Sequence, residues 1–183
     1  MEVCTINNTK NLHNYFPENF ELQFYKIFRK LKNLGCDYFY FLGLDSGISY
    51  RFCTNDNWMS FYHDEKFVTN DPLKRIVETT DFIITPWNQI THLHGSEKKT
   101  MQGRITYGLY NGLTITREFH SRKYIITLAT EMKEHDLARF FLLEKLNSLE
   151  NFVYECMQLF DQYLTLMFKP VSQELFENVS LQH

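Results

Sequence analysis

Two tryptophans, a tyrosine and an aspartate in the middle of the chain are the residues best suited to bind a small molecule. Trp58 and Trp87 are the only tryptophans, and each offers a large apolar face together with a single N–H donor. Tyr62 follows Trp58 by one helical turn, and the Asp71 carboxylate can accept hydrogen bonds. A donor and an acceptor inside an aromatic enclosure suit a ligand that carries a carbonyl group and an amide N–H.

Each of these residues also has an ordinary structural explanation. Asp71 followed by Pro72 is typical of a helix start, with the aspartate as N-cap and the proline in the first turn. Trp58 and Tyr62 at helical spacing are typical of a hydrophobic core. Taken together the pattern favours a pocket, and an N-cap role for Asp71 is compatible with ligand binding.

Other chemically active side chains form no recognisable catalytic or metal site. His92 and His94 lack a third ligand at a suitable spacing. His63 and its acidic neighbours lack a nucleophile motif, and no Ser or Cys stands with a His in a recognisable nucleophilic context. We therefore expect no metal, no cofactor and no enzyme activity, and an enzyme acting on a lactone or amide is the less favoured alternative.

Length and composition limit the remaining possibilities. The chain has 183 residues, of which 44% are hydrophobic and 22% charged, as in one globular domain. The aromatic fraction of 16% fits either an aromatic-lined cavity or a bulky core. A net charge of −3 argues against nucleic-acid binding by this chain alone. Four scattered cysteines, with no leader and no membrane-spanning stretch, favour the cytoplasm.

Hydrophobic periodicity predicts the elements that must position these residues. A helix is expected around Phe24 to Leu34, and a long one from Leu142 to Met167. Shorter helices should begin near Asp56 and at Pro72, and Ser96 could open another. Two hairpins are expected, and a loop should carry Trp87. The predicted strands are residues 36–44 and 48–53, then 112–119 and 124–130.

The order of these motifs resembles the autoinducer-binding domain of LuxR-type quorum-sensing transcriptional regulators. In that family a strand pair precedes a Trp-x-x-x-Tyr helix, an Asp-Pro, a Trp near a Pro, and a strand that starts Gly-hydrophobic-Thr. The corresponding residues here are Trp58 to Tyr62, Asp71-Pro72, Pro86-Trp87 and Gly112-Leu113-Thr114. The match spans roughly residues 20–168.

The resemblance implies an α+β fold, namely an α-β-α sandwich with a central five-stranded antiparallel sheet and helices on both faces. It assigns residues 1–170 to an autoinducer-binding-like domain and residues 171–183 to a short C-terminal tail. LuxR-type regulators continue into a helix-turn-helix module that binds DNA. We find no such module in this sequence, and therefore expect either an excised ligand domain or a naturally short protein.

The resemblance also implies an acyl-homoserine lactone, or a similar amphipathic amide, as ligand. The Trp58 indole would donate to the lactone carbonyl, the Asp71 carboxylate would accept the amide N–H, and Thr127 would bind the acyl carbonyl region. Tyr62 and Trp87 would be aromatic walls. The further contacts assigned to the site are Thr54, Thr114, Ile125, Tyr40 and Leu42, and the structural residues are Pro72 and Gly112, where the glycine would permit a close backbone approach.

Three positions differ from the common family pattern. Thr54 stands where many members have a tyrosine that donates to the amide carbonyl. Thr116 replaces a usual proline, and Ile125 is bulkier than the small residue often found there.

Two biological roles are compatible with this assignment. The chain could be a receptor domain in quorum-sensing transcription regulation, with its long helix supporting a homodimer. Alternatively, it could be a DNA-binding-deficient protein that sequesters the signal or forms heterodimers with full-length LuxR-type regulators.

Overall fold

The computed structural model describes residues 13–81, 83–90 and 94–168. The predicted C-terminal tail and His92 lie outside these residues. In chain order the strands are β1 (His13–Tyr15), β2 (Tyr38–Asp45), β3 (Ile48–Cys53), β4 (Ile83–Pro86), β5 (Asn111–Phe119) and β6 (Arg122–Thr130). The helices are α1 (Glu18–Lys32), α2 (Asp56–Asp64), α3 (Pro72–Glu78), α4 (Gly95–Thr106), α5 (Leu137–Glu144) and α6 (Leu146–Met167).

Within the described ranges the strands form one six-stranded sheet in the order β1-β3-β2-β6-β5-β4. Strands β2 to β6 pair antiparallel, whereas β1 pairs parallel with β3. The α-β-α layering agrees with the expectation, but the sheet is mixed and six-stranded instead of antiparallel and five-stranded. Strand β1 could not be predicted from the sequence, because its three residues are too few to show an alternating pattern.

Strand β4 was expected to be part of a loop. Its four residues end at Pro86, directly before Trp87, for which a loop was expected. A proline is acceptable here because β4 is an edge strand, where a missing N–H breaks no ladder on the outer side.

The main hydrophobic core lies between one face of the sheet and helices α1, α5 and α6. Alternation places Phe39 and Phe41 of β2 on this face, where both are fully buried. Helix α1 contributes a stripe at three-and-four spacing, and its Phe24 stacks on Phe52 with ring centroids 5.2 Å apart. The main core therefore lies on this face, and a second, smaller cluster of buried apolar residues lies on the opposite face.

The predicted long helix is two helices. Lys145 has φ −131° and ψ 28°, outside the helical region, and separates α5 from α6. The expected stripe therefore breaks, and Leu146 is 43% exposed while Leu149 is fully buried. Neither proline nor glycine marks the break, so periodicity alone could not locate it. No helix in the described part of the chain is both long and apolar enough to cross a membrane.

Candidate functional site

The predicted contacts on the strands lie together on the sheet face opposite the main core, which we call the site face. Tyr40 is paired with Thr127, Leu42 with Ile125, and Thr114 with Thr127. Paired residues of antiparallel strands point to the same side. Helices α2, α3 and α4 pack on this face, and the contact cluster that joins them to the strands includes Tyr38, Trp58, Leu73, Ala129 and Met101.

Helix α2 delivers two of the predicted aromatic residues to the site face. Its first turn is capped by the Asn55 side chain, which accepts the Trp58 backbone N–H at 2.9 Å. Trp58 is 2% exposed, and its ring meets the Tyr62 ring edge-on, with centroids 5.5 Å apart. The Trp58 indole N–H forms no hydrogen bond with any described residue, so it is a donor still available to a ligand.

Asp71 caps α3 and is also the centre of a buried polar cluster. Its Oδ1 accepts the Leu73 backbone N–H at 3.0 Å, as the Asp-Pro motif predicts. Its Oδ2 accepts the Tyr62 hydroxyl at 2.8 Å and Nη2 of Arg104 at 2.6 Å. The cap and the buried polar role therefore coexist, but the protein itself already supplies three donors to this carboxylate.

Arg104 is the residue of the site that sequence reasoning missed. It projects from α4 and is as buried as its partner, with 7% of the Arg104 side chain and 6% of the Asp71 side chain exposed. Its guanidinium carbon lies 5.5 Å from the Trp58 ring centroid and 5.3 Å from that of Trp87, distances that allow cation–π attraction. The guanidinium thus contacts both indoles and the carboxylate at once.

A sequence signal for Arg104 existed, although it was weak. Thr100 and Arg104 are four residues apart, so they share one face of a helix that begins near Ser96. A buried carboxylate at Asp71 also requires a positive partner or several donors. Neither observation identifies the arginine without knowing that α4 packs beside α3.

Trp87 packs closely against strand β5, where it forms one hydrogen bond and where Gly112 has no side chain to keep it away. Its indole N–H donates to the Thr114 hydroxyl at 3.2 Å, and that hydroxyl lies 3.3 Å from the Thr127 hydroxyl. A Cβ on Gly112 would come within 2.5 Å of the Leu128 carbonyl oxygen and 2.9 Å of the Trp87 ring. The close approach at Gly112 is therefore made by Trp87 and by backbone.

Two further threonines on the site face have hydroxyls without a partner. Thr85 is paired with Thr114, and Thr116 with Ile125. The Oγ1 atoms of Thr85 and Thr116 are buried and form no hydrogen bond among the described residues. Buried hydroxyls are usually bonded, so these two are available to a bound molecule.

Thr54 directly follows β3 of the β2–β3 hairpin, but its hydroxyl is already used. It accepts the Phe39 backbone N–H at 2.9 Å and donates to the Phe39 carbonyl at 3.3 Å. These bonds fix the start of β2 to the residue that follows β3.

Burial keeps the ionisable side chains of the site neutral, apart from the ion pair. Burial raises the pKa of Tyr62, and the neighbouring Asp71 charge raises it further. Burial likewise raises the pKa of Tyr40, and it raises the pKa of the Cys53 thiol to about 11. At neutral pH the two phenols are hydrogen-bond donors, and the thiol is a poor nucleophile.

A cleft of about 420 Å³ opens beside this cluster, between α1, α2, β1 and β3. Its walls include Arg51, Cys53, Met59 and His63. None of the ligand contacts predicted from the sequence lines this cleft. The expected space between Trp58 and Asp71 is instead occupied by the Arg104 side chain.

No protein-family model and no curated protein sequence matches the chain. Several solved structures, however, resemble its fold. The N-acylhomoserine lactone dependent LuxR family transcription factor CepR2 from Burkholderia cenocepacia superposes with a TM-score of 0.54 at 13% identity, covering 74% of this chain and 92% of CepR2.

Escherichia coli SdiA gives a TM-score of 0.60 at 14% identity, covering 85% of this chain and 65% of SdiA. SdiA in complex with octanoyl-rac-glycerol gives 0.55 at 15% identity, covering 78% of this chain and 61% of SdiA. The present chain therefore corresponds to less than two thirds of the SdiA chain. At these identities the likeness concerns the fold, and the chain has the fold of LuxR-family autoinducer-binding domains.

Proposed function

We propose that this chain is a receptor domain for a small amphipathic acyl compound, serving as the signal-binding part of a quorum-sensing transcription regulator. Acyl-homoserine lactones, or similar amphipathic amides, are the members of this class that the sequence indicates. The proposal is supported by the fold, which is shared with a regulator named as N-acylhomoserine lactone dependent and with one solved in complex with octanoyl-rac-glycerol.

The observation that carries the proposal is the pair of buried, unpartnered hydroxyls of Thr85 and Thr116 on the site face. Leaving a buried polar group unbonded costs about 1 to 3 kcal/mol. Nothing in the packing of the described residues offsets this cost for the two hydroxyls. A carbonyl or hydroxyl of a bound molecule would remove it.

Half-buried apolar side chains lie beside Thr116 and suit an acyl chain. Leu42 and Ile125 are paired on adjacent strands, and Ile125 is also paired with Thr116. Both apolar side chains are only partly covered. An acyl chain packed on them would contribute about 0.8 kcal/mol for each buried CH₂. The chain would supply most of the affinity, and the polar groups would supply orientation.

The polar end of the ligand would lie toward the helices. In this proposal the Trp58 indole donates to a head-group carbonyl, and Tyr40 and Thr127, which face each other across β2 and β6, flank the acyl carbonyl. Trp87 and Tyr62 act as walls.

Ligand-dependent thermal stability tests the proposal. The protein is purified from a host that makes no acyl-homoserine lactone, and its Tm is measured with lactones of several acyl lengths, monoacylglycerols and fatty acids. A ligand at one hundred times its Kd stabilises the folded state by about 2.7 kcal/mol, which corresponds to roughly 5 to 10 °C for a domain of this size. Mass spectrometry of organic extracts identifies any compound that co-purifies from the native source.

If no acyl compound shifts the Tm of ligand-free protein, and extracts of protein from the native source contain none, the proposed function is wrong.

A further inference from the structure

The polar end of the site presents donors where the sequence alone indicated an acceptor. The Asp71 carboxylate is already bonded to the Leu73 backbone N–H, the Tyr62 hydroxyl and Arg104 Nη2. A carboxylate can accept about four hydrogen bonds, so one position remains. The guanidinium, however, lies against both indole rings, in the space that a head group would need to reach Asp71 and Trp58 together.

We propose that Arg104 determines the ligand class of this site by competing with a ligand's amide N–H for Asp71. The inference rests on the proposed function, because it concerns the ligand of the same site. It assigns to the wild-type protein acyl compounds whose head groups offer acceptors and hydroxyls, such as acyl esters of glycerol, in preference to N-acyl amides.

The physical reason is the difference between a charged and a neutral donor. The Arg104–Asp71 bond joins two full charges, and it is short and shielded from solvent on both sides, so breaking it would leave a buried guanidinium without its counter-charge. A neutral amide N–H therefore cannot replace the guanidinium without loss. An ester head group needs no acceptor from Asp71, so it can bind with Arg104 in place.

The groups left free on the site face agree with this preference. The Trp58 indole N–H and the Thr85 and Thr116 hydroxyls can all donate to ester or hydroxyl oxygens, and the two hydroxyls have no partner among the described residues. None of these groups requires an N–H from the ligand.

Removing the guanidinium should reverse the preference. In Arg104→Met the Asp71 carboxylate keeps two neutral donors but loses its counter-charge, and space opens between the indoles. A buried carboxylate in that state gains from an additional donor. The amide N–H of a lactone is such a donor, so the variant should accept lactones that the wild type disfavours.

Two ligands of equal acyl length isolate the head group: 1-octanoyl-glycerol and N-octanoyl-homoserine lactone. Their Kd values are measured by calorimetry for the wild type, for Arg104→Met and for the control Arg117→Met. Arg117 is as buried as Arg104, but its ion pair with Glu150 of α6 lies on the opposite side of the sheet. If Arg104→Met does not fold, Arg104→Gln removes the charge but keeps a neutral donor for Asp71, and the ratio should then shift in the same direction by less.

We expect the wild type and the Arg117→Met control to bind the glycerol ester about tenfold more tightly than the lactone, equal to about 1.4 kcal/mol. We expect Arg104→Met to lose or reverse that ratio through tighter lactone binding. If the ratio is the same in the wild type and in Arg104→Met, the inference is wrong although the proposed function stands. If neither ligand binds to any variant, the inference is overturned, and the wider panel of acyl compounds described above decides the proposed function.

Discussion

Exchanging Asp71 for asparagine and Arg104 for methionine, singly and together, measures how far the buried ion pair stabilises the ligand-free domain. Asparagine is chosen because it is as good an N-cap as aspartate. It should keep the bond to the Leu73 N–H while removing the charge. Methionine fills much of the space of the arginine side chain without its charge.

The expected magnitude follows from burial, since neither partner is more than 7% exposed. Removing one partner of such a pair leaves the other charge buried and unpaired, which costs about 3 to 5 kcal/mol. Replacing both with neutral groups removes that penalty. We therefore expect the double variant to lose less stability than either single variant, with a coupling energy of at least about 3 kcal/mol.

Urea unfolding followed by far-UV circular dichroism gives the free energy of unfolding of the four proteins. A second cycle on Arg117 and Glu150 is the matched control. Because Glu150 is 43% exposed in that pair, solvent should screen it and the coupling should stay below about 1 kcal/mol. If the losses at Asp71 and Arg104 simply add in the double variant, the pair does not act as a unit and the structural argument is refuted.

Three further predictions concern packing, hydroxyl groups and pH. Gly112→Ala should lower the free energy of unfolding by about 1 to 3 kcal/mol, because its Cβ would overlap backbone and the Trp87 ring. Gly95 has open space around it, so Gly95→Ala should change the free energy of unfolding by less than about 0.5 kcal/mol. Thr116→Val should not destabilise the ligand-free protein, because its hydroxyl has no partner, whereas Thr130→Val should, because it loses the bond to Asp37. Because the pKa of Tyr62 is raised in the folded state, the neutral phenol contributes fully to the free energy of unfolding below about pH 10, and this contribution is lost as the pH rises above that value. Tyr62→Phe should therefore flatten the fall in the free energy of unfolding between about pH 9 and 11.

These three predictions are measured by urea or thermal unfolding. Equal losses for the two glycine variants would contradict the packing argument. A large loss for Thr116→Val would show that its hydroxyl is bonded. An unchanged alkaline slope in Tyr62→Phe would mean that the buried phenol does not titrate with unfolding, and that the other buried tyrosines account for the slope.

The local sequence pattern was enough to predict the elements that show a repeated apolar spacing or that have turn or capping residues at their ends. The apolar spacing of α1, the Asp71-Pro72 start of α3 and the two hairpins were all predictable, since each depends on residues close together in sequence. Strand β1 and the break at Lys145 were not predictable. The first is too short to show a period, and the second has no proline or glycine to mark it.

By itself, the sequence determined the layered α+β fold, the hairpins and the period-two alternation within each predicted strand, which places Ile125, Thr127 and Ala129 on one face. Only the tertiary structure decided what neutralises Asp71. Arg104 lies 33 positions away in the chain, and it becomes the counter-charge only because α4 packs beside α3 on the same sheet face. Burial and charge pairing depend on which surfaces meet, and no local spacing of residue types records that.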